Sequence, residues 1–183
     1  MIVLEGPDGS GKSSLAKVLS DKLDRPIFHP GPKPFDDEAL AKDEQTCITK
    51  LRQGFICDRI TQISHYVYSR VIRKSCVVTD YELENFVNFA ADSGFIFIFC
   101  YPTDMISMVD NQTVEEHDTL EHLSKVRYNH VKLCVMYNHI YEVFKKHIPN
   151  KVFLYDYKKD NEFERLTNFL EEKTNGQYRK KRK

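Results

Sequence analysis

The sequence predicts an α/β fold in which a mostly parallel sheet is covered by helices on both faces. Short apolar runs alternate with longer segments of helical periodicity along the 183 residues, and this alternation is typical of β-α-β units. The segment Phe95–Tyr101 is apolar throughout, as expected of a strand that is buried on both faces. The length suits one domain, and the sequence contains no repeat or linker that would divide it.

Three strands and two helices are predicted in the first third of the chain. Ser13–Leu23 carries its apolar residues on one helical face. A second helix is predicted over Asp36–Gln53, because its periodicity stops where Gly54 follows. Short apolar runs between turn residues predict three strands: Ile2–Glu5, Pro26–His29 and Phe55–Asp58.

Four helices and two strands are predicted in the remainder of the chain. Helical spacing recurs over residues 61–73 and 80–93, within 117–147, and over 160–173. The two strands are Phe95–Tyr101 and Val152–Tyr157. Residues 1–175 are therefore assigned to a single domain. Residues 176–183 form a basic tail that is predicted to be disordered, because like charges repel and chain ends are loosely held.

The junction between the first strand and the first helix carries the strongest functional signal. Gly6–Ser13 reads GPDGSGKS and matches the phosphate-binding motif GxxxxGK[ST] in full. In this motif backbone amides and the helix dipole bind phosphate, the lysine contacts the β and γ phosphates, and the following hydroxyl ligates Mg²⁺. The motif predicts a three-layer P-loop NTPase fold with a five-stranded parallel sheet. It also predicts that ATP and Mg²⁺ are bound through Asp8, Gly9, Ser10, Gly11, Lys12, Ser13 and Ser14.

The rest of the sequence narrows the class of P-loop protein. GTPases usually carry a base-reading NKxD element after a later strand, and this sequence has none. Motor ATPases generally use a hydrophobic strand that ends in Asp-Glu, which is also absent from the sequence. A single domain of this size therefore favours a nucleotide kinase.

A second motif follows the third predicted strand. Asp58 and Arg59 end that strand, and Ser64 and Tyr68 follow at helical spacing. Together with the P-loop, these residues resemble the thymidylate kinase family, most closely the thymidylate kinase-like proteins of bacteriophages. Those proteins also have a turn of the type H-x-G-P, which is similar to His29–Pro32 in this chain. The resemblance covers most of the chain.

The resemblance implies roles for individual residues. Lys12, Asp58 and Arg59 are expected to be catalytic, with Asp58 joining Ser13 at Mg²⁺ and Arg59 binding the acceptor phosphate. The residues expected at the acceptor are Asp8, His29, Gly31, Arg59, Ser64, Tyr68, Arg70 and Arg73. The residues alone leave other interpretations open: a strand-end ion pair for Asp58 and Arg59, a core aromatic for Tyr68, and a turn residue for His29.

The chain departs from the family in the region where a lid is expected. The residues from Ser75 to Ser124 include ten Asp or Glu and no Lys or Arg, so the predicted lid at 104–118 is acidic. Thymidylate kinases bring an extra arginine to the transferred phosphoryl group. Arg127 is the expected source of that charge here, and the alternative is that it is a solvated helix residue. Ser69 also stands where the family has Gln.

Composition argues against several classes of partner. The net charge is zero, but the last five residues are all basic, so the remainder carries 22 basic and 27 acidic side chains. A chain whose remaining residues carry a net negative charge is unsuited to general nucleic-acid binding. Five cysteines without a CxxC pair indicate a reducing compartment and no zinc site. The longest apolar run, Phe95–Pro102, is shorter than the roughly 20 residues of a membrane span. We therefore expect a cytoplasmic protein, located in the host cytoplasm if it is viral.

The expected function is Mg²⁺/ATP-dependent phosphorylation of a (deoxy)nucleoside monophosphate, dTMP or a related nucleotide. The family resemblance further implies a homodimer. Two alternatives stay open: a kinase for a nucleoside or another small phosphate acceptor, and a nucleotide-binding module with weakened catalysis. A kinase of nucleic-acid ends that uses the basic tail is a third, and it predicts strong salt dependence.

Overall fold

Strands and helices alternate along the chain in a computed structural model that describes residues 1–30, 37–73, 78–102 and 120–180. The strands are β1 (Ile2–Glu5), β2 (Ile27–Phe28), β3 (Ile56–Asp58), β4 (Ile96–Cys100) and β5 (Val152–Tyr155). The helices are α1 (Lys12–Leu23), α2 (Asp37–Arg52), α3 (Thr61–Tyr68), α4 (Asp80–Asp92), α5 (Leu120–Tyr128), α6 (His130–His147) and α7 (Glu162–Lys180). A π-helical turn, Ser69–Arg73, extends α3, and a 3-10 turn, Pro149–Lys151, precedes β5.

The five strands form one parallel sheet in the order β2-β3-β1-β4-β5. Leu4 of β1 pairs with Asp58 of β3 on one side and with Ile98 of β4 on the other. The predicted five-stranded parallel sheet is therefore confirmed. Because β1 and β3 are neighbours, the residues that follow both strands meet at one edge of the sheet, where ligands bind in open α/β folds.

The two faces of the sheet are covered by different helices. Alternate residues of a strand point to opposite faces, and Val3 and Phe97 belong to an apolar cluster with residues of α2, α3, α4 and α6. Leu4 and Ile98 belong to a second cluster with residues of α1 and α7. Burial of one large apolar side chain contributes about 1.5–3 kcal/mol, so both faces stabilise the sheet strongly. The predicted three-layer arrangement is confirmed, and every residue of β4 is buried.

Two helical segments differ from the predicted single helices. The segment 61–73 consists of α3 followed by the π-helical turn, and the segment within 117–147 consists of two helices that meet at Asn129. The Asn129 side chain donates a hydrogen bond to the Lys125 carbonyl at 2.9 Å. Side-chain bonds of this kind compete with the helical ladder, which accounts for a break at an asparagine.

The last helix is longer than predicted. It ends at Lys180 rather than at residue 173, so its backbone includes residues 176–180, for which the run of basic residues predicts disorder. Lys and Arg are good helix formers, and positive charge is favourable at the C-terminal end of a helix.

Several predicted features lie outside the described residues: Gly31, the lid at 104–118, and residues 181–183. None of the helices in the described ranges has an apolar stretch long enough to cross a bilayer. The cysteines within those ranges, which are Cys47, Cys57, Cys100 and Cys134, are buried free thiols.

Candidate active site

The P-loop connects β1 to α1 and depends on glycine at two close approaches. Gly6 has a φ of 145°, and a Cβ atom at this position would lie 2.2 Å from the Cys100 carbonyl oxygen. Gly11 is the N-cap of α1 with a φ of 81°, in the left-handed region. Any larger residue at these positions would strain the backbone or displace β4. The loop therefore presents its backbone closely to whatever it binds.

Lys12 places a buried positive charge within this loop. Its Nζ donates hydrogen bonds to the Pro7 carbonyl at 2.7 Å and to the Ser10 hydroxyl at 3.4 Å. Burial lowers the pKa of Lys12, and the charge of Arg59 lowers it further, whereas the carboxylates of Asp8 and Asp58 raise it. The ammonium donates these two hydrogen bonds to neutral oxygens, and a buried positive charge in such a loop suits an anionic ligand.

Asp58 lies at the carboxyl end of β3, directly beside the first turn of α1. Its Oδ2 accepts a hydrogen bond from the Ser13 hydroxyl at 3.1 Å and lies 3.2 Å from Nδ1 of His29. Burial raises the pKa of Asp58, but the hydrogen bond from His29 and the charge of Lys12 outweigh burial and lower it. The carboxylate is therefore ionised at neutral pH.

The oxygen atoms of Ser13 and Asp58 fit Mg²⁺. Oδ1 of Asp58 is buried and accepts no hydrogen bond from the described residues. Hard oxygen donors are the ligands that Mg²⁺ prefers, and the ion usually keeps phosphate oxygens and waters as its other ligands. No group of three or more His, Cys, Asp or Glu residues within the described ranges is arranged to hold a metal by itself.

Arg59, Asp8 and Tyr68 form a polar cluster across the P-loop. The Arg59 guanidinium pairs with the Asp8 carboxylate and lies 5.4 Å from the centre of the Tyr68 ring. The Tyr68 hydroxyl donates to Oδ2 of Asp8 at 2.6 Å, and burial raises the pKa of that phenol, so it stays a donor. Burial raises the pKa of Asp8, but the charges of Arg59 and Lys12 outweigh burial and lower it to about 2. The cluster therefore combines two hydrogen-bond donors, Arg59 and Tyr68, with one acceptor, the Asp8 carboxylate.

The backbone of Arg59 is strained. Its φ is 81°, in the left-handed region that residues other than glycine avoid. Such a conformation costs on the order of 1–3 kcal/mol and persists only where the surrounding structure holds it. Backbone strain of this kind is concentrated at functional sites, which agrees with the place of Arg59 between the P-loop and α3.

The other predicted arginines have different surroundings. Arg70 lies 3.8 Å from the centre of the Tyr66 ring and donates to Asp80 at 2.6 Å, so it ties α3 to α4. One nitrogen of Arg73 lies 3.0 Å from Nε2 of buried His65. Arg127 is exposed on α5 and makes no hydrogen bond or ion pair with another described residue. The structure therefore gathers Arg59, but not Arg127, into the P-loop cluster.

Some residues at the site were not predicted from the sequence. Tyr137 of α6 is buried and lines a narrow crevice with Gly6, Cys100 and Tyr101. Burial raises the pKa of Tyr137, and this effect outweighs the charge of Arg59 and the nearby Ser64 hydroxyl, which lower it. Ser64, by contrast, was predicted, and it is buried on α3. Tyr137 occupies an apolar position of a helix, so its sequence signal is the same as that of a core aromatic.

Solved structures of the same fold cover nearly the whole chain. The YorR protein of Bacillus subtilis, in complex with phosphorylated GDP, has 20% identity and a TM-score of 0.66 over 93% of this chain and 95% of that chain. Deoxyadenosine kinase of M. mycoides with bound dATP has 17% identity and a TM-score of 0.57 over 93% and 98%. A gluconokinase of Sinorhizobium meliloti 1021 has 13% identity and a TM-score of 0.55 over 97% and 95%.

No protein-family model matches the chain, and no curated protein matches it in sequence. The similarity to these solved structures shows a shared fold. At such low identities a shared fold does not imply a shared substrate, so the activity has to be argued from the side chains of the site.

Proposed function

We propose that this protein is a Mg²⁺/ATP-dependent phosphotransferase that phosphorylates a (deoxy)nucleoside monophosphate, dTMP or a related nucleotide. The observation that carries the proposal is the 3.1 Å contact between Ser13 and Asp58. This contact joins the P-loop to the Asp58-Arg59 strand end, so a triphosphate site and an arginine-lined site share one edge of the sheet. Phosphoryl transfer requires such an arrangement, because the donor and the acceptor must be aligned with their charges neutralised.

On the donor side, the P-loop residues bind and orient the triphosphate. The backbone amides of Gly9 to Ser14 and the N-terminus of α1 face the phosphates, and Lys12 neutralises their charge. Mg²⁺, when bound, stabilises the charge that develops on the phosphate oxygens. Ser13 and Asp58 hold it, and His29 orients the Asp58 carboxylate through their 3.2 Å contact.

On the acceptor side, Arg59 orients the phosphate that is to be phosphorylated. Its planar guanidinium offers forked donors that match phosphate oxygens. Asp8 and the Tyr68 hydroxyl lie next to it and are suited to hold the hydroxyl groups of the sugar. Arg73 and Ser64 are further candidates on the same helical segment, and Arg127 of α5 is the proposed source of the extra charge at the transferred group.

A kinase for a nucleoside is the second candidate, and one observation favours it. The positive charge of Arg59 is already paired with Asp8, which leaves less charge for an acceptor that carries its own phosphate. A neutral nucleoside hydroxyl needs less positive charge than a phosphate dianion does. The deoxyadenosine kinase of M. mycoides has a similar fold, which is compatible with this candidate.

A coupled assay of ADP release decides between these functions. ATP and Mg²⁺ are supplied with each common nucleoside and each nucleoside monophosphate in turn. We expect the highest kcat/KM with a deoxynucleoside monophosphate, whereas the highest kcat/KM with a nucleoside would support the second candidate. The variant Lys12→Ala is expected to lower kcat by about 10²-fold or more, as loss of a charge stabiliser does. The matched control is Lys17→Ala, an exposed lysine on the same helix, and it should leave turnover unchanged.

The proposal also includes a homodimer and a cytoplasmic location. Sedimentation of the purified protein tests the first of these. A mass close to twice 21.5 kDa is the expected result, and a single-chain mass that persists at high protein concentration would contradict it.

A further inference from the structure

We propose that Glu5, which belongs to neither motif, is a positioning residue for Arg59. Glu5 is the last residue of β1 and is fully buried. Its Oε1 accepts a hydrogen bond from the Ile60 amide at 2.6 Å. The role of Arg59 in phosphate binding rests on the proposed function, whereas the effect of Glu5 on the position of Arg59 rests on geometry alone.

The local backbone explains why Ile60 requires this acceptor. The amide of Arg59 continues the parallel ladder by donating to the Leu4 carbonyl at 2.9 Å, and the ladder ends there. Ile60 is the N-cap residue of α3, and its side chain makes no capping hydrogen bond. Amides at the start of a helix have no intrahelical acceptor and need one from elsewhere. The Glu5 carboxyl group supplies it.

Two successive residues of β1 thereby hold the amides on both sides of the Arg59 Cα atom. The Leu4 carbonyl accepts from the Arg59 amide, which precedes that Cα atom, and the Glu5 carboxyl group accepts from the Ile60 amide, which follows it. With both amides fixed, Arg59 keeps its φ of 81°, and its side chain leaves the backbone in the direction of Asp8 and the Tyr68 ring.

The Glu5 carboxyl group also acts on α3 as a whole. It lies at the N-terminus of that helix, where the helix dipole favours negative charge. The same helix carries Tyr68, the residue that donates to Asp8. A single buried side chain at the end of β1 therefore fixes both the guanidinium and the phenol that meet at Asp8.

Two substitutions separate the hydrogen bond from the volume of the side chain. Glu5→Gln keeps an acceptor oxygen at the same side-chain length, and Glu5→Met is similar in size but has no oxygen. In NMR spectra, we expect a sharp, slowly exchanging Arg59 guanidinium N–H signal in the wild type and in Glu5→Gln, because the guanidinium pairs with Asp8. The signal is expected to broaden and to exchange rapidly in Glu5→Met. An unchanged signal in Glu5→Met would overturn the proposal.

Hydrogen exchange in the wild-type protein gives a test that needs no variant. The Ile60 amide is expected to exchange as slowly as the amides of β1, because its acceptor is buried. Exchange at the rate of an exposed loop amide would overturn the proposal, even if Glu5→Met does not fold.

A double-mutant cycle then tests the consequence for catalysis. Glu5→Met is expected to lower kcat/KM for the acceptor about 10–100-fold while ATP affinity is retained, and to have little further effect in an Arg59→Ala background. Equal losses in both backgrounds would show that Glu5 does not act through Arg59. If the wild type itself transfers no phosphate to any acceptor, the proposed function is wrong, and the NMR and exchange results still decide the role of Glu5.

Discussion

Arg59 is the residue on which the proposed acceptor side of the site depends most. It pairs with Asp8 and stacks near Tyr68, and hydrogen bonds to charged groups contribute about 1.5–3 kcal/mol. We therefore expect Arg59→Ala to raise the acceptor KM or lower kcat/KM by about 10–100-fold, with ATP affinity in calorimetry changed much less. The control is Arg52→Ala, an exposed arginine at the end of α2. An equal loss of ATP affinity in Arg59→Ala would count against an acceptor role.

The ionisation of Asp8 gives a second prediction at the scale of a residue. Arg59 and Lys12 more than offset the effect of burial and lower the pKa of Asp8 to about 2, against about 3.9 in an unfolded chain. The folded state therefore binds this proton less readily, so ionised Asp8 stabilises the protein above about pH 4, and that contribution is lost as the pH falls toward 2.

Urea unfolding of the wild type and of Asp8→Asn tests this. We expect the free energy of unfolding to fall less steeply in Asp8→Asn than in the wild type as the pH is lowered from about 5 to about 3. Parallel decreases in the two proteins would mean that Asp8 is not held ionised by its neighbours.

The sequence identifies the residues of the P-loop and of the Asp58-Arg59 motif, and it does not reveal that Arg59 pairs with Asp8. The pairing of Arg59 with Asp8 joins positions 51 residues apart, and no spacing rule within one helix or strand reports such a contact. Arg70 shows the same difficulty, because only the fold reveals that it contacts Tyr66 and Asp80. From the sequence alone, Glu5 is only the polar last residue of a predicted strand, and the fold is needed to show that it accepts from the Ile60 amide.

At the scale of single elements, the N-terminus of α4 has a complete capping box. The Thr79 hydroxyl accepts from the Glu82 amide at 3.2 Å, and the Glu82 carboxylate accepts from the Thr79 amide at 2.7 Å. We expect Thr79→Ala to lower the free energy of unfolding by about 1 kcal/mol. The control is Thr46→Ala, which removes a hydroxyl from within α2 and should change stability by less than about 0.5 kcal/mol. Equal losses in the two variants would contradict a capping role.

The bounds of the elements follow the sequence where a clear signal ends them. Gly54 was predicted to end the second helix, and that helix ends at Arg52, close to the predicted residue. The π-helical turn Ser69–Arg73 was not predicted, because five residues are too few for their apolar spacing to distinguish a π-helical from an α-helical turn. This turn carries Arg70, which donates to Asp80, and Arg73, which lies beside His65.

At the scale of the whole molecule, the alternation of strands and helices was sufficient to predict the fold. The apolar run Phe95–Tyr101 predicts a strand that is buried on both faces, and this is confirmed by β4, in which every residue is buried. The order of the strands was not predicted, because it depends on which helices cover which face. That order is what places Asp58 beside Ser13.

The central claim is that phosphate is transferred from ATP to a deoxynucleoside monophosphate at the edge shared by β1 and β3. Phosphorus NMR of the wild-type protein with Mg²⁺, ATP and dTMP or another deoxynucleoside monophosphate measures this transfer directly, and Lys12→Ala is the matched control. The predicted result is a second nucleoside diphosphate that forms in step with ADP in the wild type and is greatly slowed in Lys12→Ala. An ATP spectrum that stays unchanged with every deoxynucleoside monophosphate would contradict the claim.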